Sequence, residues 1–150
     1  MADSYHGHDL VTGKSISGII GFLVSTPIGW TSKRQSSVQS ATFGAEFVTS
    51  KRGVDEAMAY RCYLRSFGVQ ITKPTMIYED NMSVLINSTE PSSTLKKKHI
   101  ALAYHFCREQ VTAGVVEIKK IHTKSNFSDA LAKGVASTSH NNCFGPIMIN

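Results

Sequence analysis

At 150 residues the chain is one domain's worth, two at the most. Its composition, 41% hydrophobic and 18% charged with a mean hydropathy of −0.11, excludes a disordered chain and a membrane-embedded one. Sixteen Lys and Arg against eleven Asp and Glu leave a net charge of +5. Residues 96–124 carry that whole surplus, with seven basic residues against Glu109 and Glu117. A localised basic surface is the electrostatic footprint for a polyanion such as nucleic acid, and the competing reading is a merely solvated lysine face.

Residues 15–24 are apolar on both alternating faces, as a strand buried on both sides should be. Thr26-Pro27 is expected to turn the chain into a second strand over 28–33, so 15–33 reads as a β-hairpin. Ser36, Ser37 and Ser40 are candidate N-caps for a long helix in which Phe43, Phe47, Val54, Met58 and Cys62 share one face, ending at Gly68. A third strand covers 75–79 and runs into Asp80-Asn81 and a short helix over 81–87. After a Ser/Pro/Thr-rich loop, a helix over about 97–113 stops near Gly114. A strand over 115–122 and a short helix starting near Asn126 follow. We divide the chain into a folded unit over 1–134 and a loosely ordered tail over 135–150. A hairpin followed by βα alternation implies a mixed sheet with helices on its faces.

Cys62, Cys107 and Cys143 are odd in number and hold no CxxC pair, which argues against a zinc site and a disulfide scaffold. The polar start (Asp3, His6, His8, Asp9, Lys14) does not read as a signal peptide, and no apolar run reaches the ~18 residues of a membrane span. The expectation is a soluble intracellular domain with no membrane partner.

Three acids sit where solvation does not demand them. Asp80 follows an apolar strand at its carboxyl end, where α/β folds place their sites. Glu46 borders the buried face of the long helix, and Asp129 opens the last helix. Each has an ordinary alternative, Asp80 and Asp129 as helix-start acids favoured by the dipole and Glu46 as a surface residue. Trp30 reads as core or sheet face in preference to a base-stacking platform. His99 and His105, six apart on one helix, make no i, i+4 metal pair.

Taken in order, Asp3, His6-Gly7-His8-Asp9, Lys33-Arg34-Gln35, Ala45-Glu46-Phe47, Glu79-Asp80-Asn81, Lys98-His99-Ile100, Tyr104-His105-Phe106-Cys107-Arg108-Glu109 and the stretch from His122 through Asn126 and Asp129 to Lys133 form one series. This series resembles the ribonuclease H domain at the end of copia-type (Pseudoviridae) retrotransposon polyproteins, over about residues 2–134. The resemblance implies an α/β, RNase H-like fold: a five-stranded mixed sheet whose first three strands are antiparallel, flanked by helices. It implies a metal-dependent endonuclease acting on the RNA strand of an RNA–DNA hybrid.

Its four metal-binding carboxylates fall on Asp3, Glu46, Asp80 and Asp129, with two Mg²⁺ ions, or Mn²⁺ in their place, as cofactor. His122 falls where the fold often supplies a histidine assisting product release. Lys97, Lys98, Lys120, Lys124 and Asn81 are the expected nucleic-acid contacts. The resemblance further implies a cytoplasmic virus-like particle or the nucleus as location, and fusion to reverse transcriptase and integrase, neither of which is in this chain. Two departures stand out. Tyr5 replaces the second acid of the family's Asp-x-Asp, and the first strand is cut short. The competing reading is therefore an inactive remnant that only binds nucleic acid, and a strand swapped from a second copy could replace the missing one.

Overall fold

The computed structural model describes residues 1–7, 9, 11–90, 100–133, 140–141 and 144–145. Among these residues five strands and four helices follow the order β1 (Ala2–Tyr5), β2 (Ile16–Leu23), β3 (Thr26–Arg34), α1 (Thr42–Ser66), β4 (Thr75–Glu79), α2 (Met82–Thr89), α3 (Ala101–Thr112), β5 (Val116–Lys120) and α4 (Asp129–Ala132), with a 3₁₀ turn over Thr123–Ser125. The first three strands are an antiparallel sheet in the order β1-β2-β3, and β4 and β5 pair in parallel. β1 lies against β4 without a hydrogen-bonded ladder, so the mixed sheet comes in a three-stranded and a two-stranded part. Four residues are too few to bridge both neighbours along their length. The Ala2 carbonyl instead accepts a 3.3 Å hydrogen bond from Asn126 Nδ2.

The main core lies where α1 and α3 cover β4 and β5. Phe47 and Val54 of α1, Ile77 of β4, Tyr104 and Cys107 of α3 and Ile118 of β5 are buried there. Phe43 meets Phe47 edge-on at 5.2 Å, an orientation that sets a positive ring edge on a negative face. On β2 the alternation of side chains divides two interfaces. Ser17 faces α1, where its hydroxyl lies 2.6 Å from Thr49 Oγ1 and Gln35 Nε2 donates to it at 3.0 Å. Gly18 faces α4, and a Cβ there would overlap the Ser128 carbonyl and stand 2.7 Å from the Ala132 nitrogen. Only glycine allows that approach.

Several local expectations are corrected. The hairpin turns at Val24-Ser25, with Leu23 opposite Thr26 and Phe22 opposite Pro27, so Thr26-Pro27 belongs to β3. Pro27 is tolerated because β3 is an edge strand with no ladder on its outer side. Ala41 is the N-cap of α1 and makes no side-chain cap bond, leaving Ser36, Ser37 and Ser40 outside that role. Met58 is 38% exposed and Cys62 is also exposed. The buried stripe runs instead through Phe47, Ser50, Val54, Ala57 and Arg61, alternating steps of three and four as a 3.6-residue helix requires. Of the two places expected for Trp30 it takes the sheet face, 68% exposed, because its neighbours Gly29 and Thr31 take the side packed against Tyr60 and Glu56 of α1. The region 91–99, with Lys96, Lys97, Lys98 and His99, lies outside the described residues, as does most of the 135–150 tail and Cys143.

Candidate active site

Four elements bring acids to one end of the sheet. Asp3 is in β1, Glu46 in the second turn of α1, Asp80 immediately after β4, and Asp129 at the start of α4. β1 is covered on both faces, so Asp3, on the face opposite Ala2 and Ser4, is buried as they are, at 2% exposure. Glu46 is 5% exposed between Ala45 and Phe47. Asp80 and Asp129 are half-buried. A fifth acid, Glu79, is 1% exposed. It shares the inward face of β4 with Ile77, and its Oε1 accepts a 2.5 Å hydrogen bond from Ser50 Oγ.

Their proximity shows in the electrostatics. Burial pushes the Asp3 carboxyl up to about 7, against the pull of Lys133 and with the help of Asp80 and Asp129. Glu46 rises to about 9 through burial, with Asp3, Glu79 and Asp80 adding repulsion. Burial also raises Glu79 to about 8, while Ser50 and the Met1 ammonium pull it back. One oxygen on each of the three, Asp3 Oδ2, Glu46 Oε2 and Glu79 Oε2, is buried and makes no hydrogen bond. Unsatisfied buried oxygens of this kind cost roughly 1–3 kcal/mol each, and more when charged. Mutually repelling acids with free lone pairs are a donor set suited to a hard cation, since Mg²⁺ takes oxygen ligands and keeps several waters.

Among the described residues no three His, Cys, Asp or Glu are drawn together closely enough to enclose an ion. The cation of the site is Lys133. Its ammonium is hydrogen-bonded to Asp129 Oδ1 one helical turn back and stands 3.6 Å from Asp3 Oδ2. Burial works against its charge, but Asp129 and Asp3 outweigh burial and raise its pKa. α4 itself is held by Gly18 beneath it and by the Ser32 hydroxyl, which donates to the Leu131 carbonyl at 2.7 Å.

The other residues singled out from sequence stand apart from this centre in different ways. Asn81 is the N-cap of α2; its Oδ1 accepts from Ser83 N at 2.9 Å and Val84 N at 3.4 Å. His122 is exposed, and its Nδ1 accepts from Lys124 N at 3.3 Å. Lys120 and Lys124 are exposed on β5 and the turn after it. Glu79 and Lys133 were missed as site residues. The alternation Ile77-x-Glu79 in an otherwise apolar strand was the available signal for the first. The i, i+4 spacing of Asp129 and Lys133 was the signal for the second.

This arrangement, an antiparallel meander followed by a parallel pair with acids converging from β1, α1, β4 and the last helix, defines an RNase H-like fold. A ribonuclease H1 isolated from compost by a metagenomic approach superposes with a TM-score of 0.64 at 12% identity, covering 87% of this chain and 88% of that one. In sequence the chain is 33% identical over 129 residues to the retrovirus-related Pol polyprotein from transposon RE1 of Arabidopsis thaliana. It is 31% identical over 128 residues to that from transposon RE2 of the same plant. The Nicotiana tabacum polyprotein of transposon TNT 1-94 is 29% identical over 127 residues. Each alignment takes in 85% of this chain but only 9–10% of the polyprotein, so the chain spans about a tenth of these relatives. No protein-family model matches it. Its homologues are thus copia-type retrotransposon Pol polyproteins, and the segment it shares with them has an RNase H-like fold.

Proposed function

We propose that this protein is a cation-dependent ribonuclease H that hydrolyses the RNA strand of RNA–DNA hybrids, leaving 5′-phosphate and 3′-hydroxyl ends. The observation that carries the reading is the convergence of Asp3, Glu46, Asp80 and Asp129 from four separate elements, with Asp3 Oδ2 and Glu46 Oε2 buried and within hydrogen-bond distance of no donor. These four would hold two Mg²⁺ ions, or Mn²⁺ in their place. Bound there, such ions lower the pKa of an attacking water and stabilise charge on the leaving 3′ oxygen.

The chain's own residues do the rest. Half-buried Asp80 and Asp129 stand at the solvent side of the cluster, where a phosphodiester can reach them. Lys120 and Lys124, with Lys97 and Lys98, neutralise backbone phosphates and fix the position of the duplex without reading bases. Asn81 has its Oδ1 committed to capping α2, which leaves its amide nitrogen to donate toward the backbone or a 2′-hydroxyl, the group that marks the RNA strand. His122, exposed and accepting from Lys124 N at Nδ1, is the residue we assign to proton exchange with the departing phosphate.

The test is incubation with Mg²⁺ and an end-labelled hybrid, beside Asp80→Asn. Cleavage should fall roughly 10²–10³-fold in the variant, the equivalent of several kcal/mol of lost charge stabilisation. Undiminished cleavage by the variant would defeat the assignment. A parent that binds hybrid with a steep salt dependence but never cuts it would favour the binding-only remnant, whose footing in the structure is the Lys133 ammonium between Asp3 and Asp129.

A further inference from the structure

β3 and α1 meet in successive rungs. Gly29 lies against the Tyr60 ring, and the Thr31 hydroxyl donates to Glu56 Oε1 at 3.1 Å. From one rung to the next the strand advances two residues and the helix four, about 6.6 Å against about 6 Å. The next rung is therefore Lys33 with Arg52. Both line a pocket of about 230 Å³, with half-buried Val48 as an apolar wall and the exposed Ser36 beside them.

A rung of two cations costs stability where an acid would add to it, since like charges facing each other repel. Among the described residues, neither the Lys33 nor the Arg52 side chain has a hydrogen bond or an ion pair. Arg52 is also half-buried, so part of its side chain has left water with no anion to replace it. Arg34 shares the pocket, but Asp9 holds it at 3.1 Å. The end of β3 is pinned to α1 by Gln35, whose Nε2 donates to the Ala45 carbonyl at 2.9 Å and to Thr49 Oγ1 at 3.2 Å. The two cations are thereby set at their spacing before any ligand arrives.

We propose that this pocket holds a backbone phosphate of a bound nucleic acid, with the Arg52 guanidinium and the Lys33 ammonium on its oxygens and the Ser36 hydroxyl donating beside them. A guanidinium offers phosphate a planar fork of donors, and an ammonium adds a compact charge. The pocket is separate from the acids: Arg52 lies about 9 Å further along α1 than Glu46 and about 120° around it. β3 and β5 are the outer strands of the two sheet parts, and β1 and β4, which bring in Asp3 and Asp80, lie between them. Lys33 and Arg52 on the β3 side thus answer Lys120 and Lys124 on the β5 side, and a duplex across the acids is held at both edges. The inference rests on the reading of this protein as one that holds nucleic acid, and not on cleavage.

The experiment uses the full chain in EDTA at about pH 6, where no cation-dependent cleavage occurs. Binding of a fluorescently labelled RNA–DNA hybrid is followed by anisotropy across a salt series. Lys33→Ala combined with Arg52→Ala should lower the slope of log K against log salt by about 0.7–0.9, one phosphate's worth. It should also weaken binding about tenfold, as the loss of a charge-assisted hydrogen bond does. The unfolding midpoint should hold or rise, because a repelling pair has gone. Arg65→Ala with Lys73→Ala removes the same charge at the other end of α1 and should leave the slope as it was. If the pocket variant does not fold, Lys33→Glu at its exposed position carries the test alone: it supplies Arg52 with an internal anion and should lower the slope equally. An unchanged slope, an equal fall in the Arg65 and Lys73 variant, or a parent that does not bind the hybrid would overturn the proposal. Asp80→Asn should keep the parent slope, so a protein that binds but never cuts refutes the cleavage reading and leaves this one standing.

Discussion

Removing divalent cations and raising the pH should destabilise this protein steeply. The folded chain holds Asp3 near 7, Glu79 near 8 and Glu46 near 9, against ordinary values of 3.8 for Asp and 4.5 for Glu. Between pH 5 and 7 the unfolded chain has given up most of these three protons, while the folded chain keeps those of Glu46 and Glu79 and loses about half of Asp3's by pH 7. Stability therefore falls as pH rises, by about 1.4 kcal/mol per proton per pH unit. Three groups give at most about 4 kcal/mol per unit, and about 7 kcal/mol across the interval because Asp3 drops out toward pH 7. Domains of this kind have only about 5–15 kcal/mol in all. Half of that loss would still be a large share. A cation that binds only the folded chain opposes the trend, adding about 2.7 kcal/mol at a hundredfold excess over Kd. Urea denaturation at pH 5, 6, 7 and 8, in EDTA and in Mg²⁺, measures both slopes. Glu79→Gln should remove about a third of the EDTA slope between pH 5 and 7. An EDTA profile that is flat or rises with pH would refute the electrostatic picture of the cluster.

Gly18→Ala should cost several kcal/mol and lower cleavage further than stability alone explains, because its Cβ meets backbone atoms of α4 and must push Asp129 outward; a denaturation curve beside an activity assay at low temperature separates the two effects. Lys133→Met should tighten Mg²⁺ binding by removing the ammonium that competes for Asp3 and Asp129, while lowering the unfolding midpoint in EDTA at pH 8, where Asp3 is ionised and loses its counter-charge. Calorimetric titration and thermal melting check the pair. Changing Lys97, Lys98 and Lys120 together to Ala should reduce the slope of log K against log salt by about 0.7–0.9 for each phosphate no longer neutralised. Cleavage should then fall at low hybrid far more than at saturation. An unchanged slope identifies these lysines as a solvated face.

How much of this was legible in the sequence depended on whether the signal was local. β4 begins at Thr75 and ends at Glu79 as its short apolar run dictates, and α3 stops just before Gly114 at φ +66°. The four acids could be picked out by motif, and the structure does place them on β1, α1, the end of β4 and α4. What escaped was set by partners distant in the chain. Met58 and Cys62 look like core at steps of four, but the surface that α1 covers is decided by strands elsewhere, and the stripe drifts to Ala57 and Arg61. The need for glycine at Gly18 comes from Ser128 and Ala132, more than a hundred residues away. The burial of Glu79 depends on α1, whose Ser50 lies against it. Nothing in the string of letters says that Asn126 will cap the edge of β1 at Ala2.

The bonds from Asn126 to Ala2 and from Lys133 to Asp3 join the first strand to the last helix, and this sets a schedule for synthesis. Everything from the hairpin to β5 can emerge from a ribosome and begin to pack while Asp3 still lacks its counter-charge. Only when residue 133 has cleared the exit tunnel can the acidic cluster be closed. Contacts of such long sequence separation form late and slowly, since the loop-closure entropy precedes the reward. This unit therefore passes through an interval in which most of its elements are made but the acidic cluster is still open. The acidic cluster is thus the last part of this unit to be completed, whatever precedes or follows the unit in the translated chain.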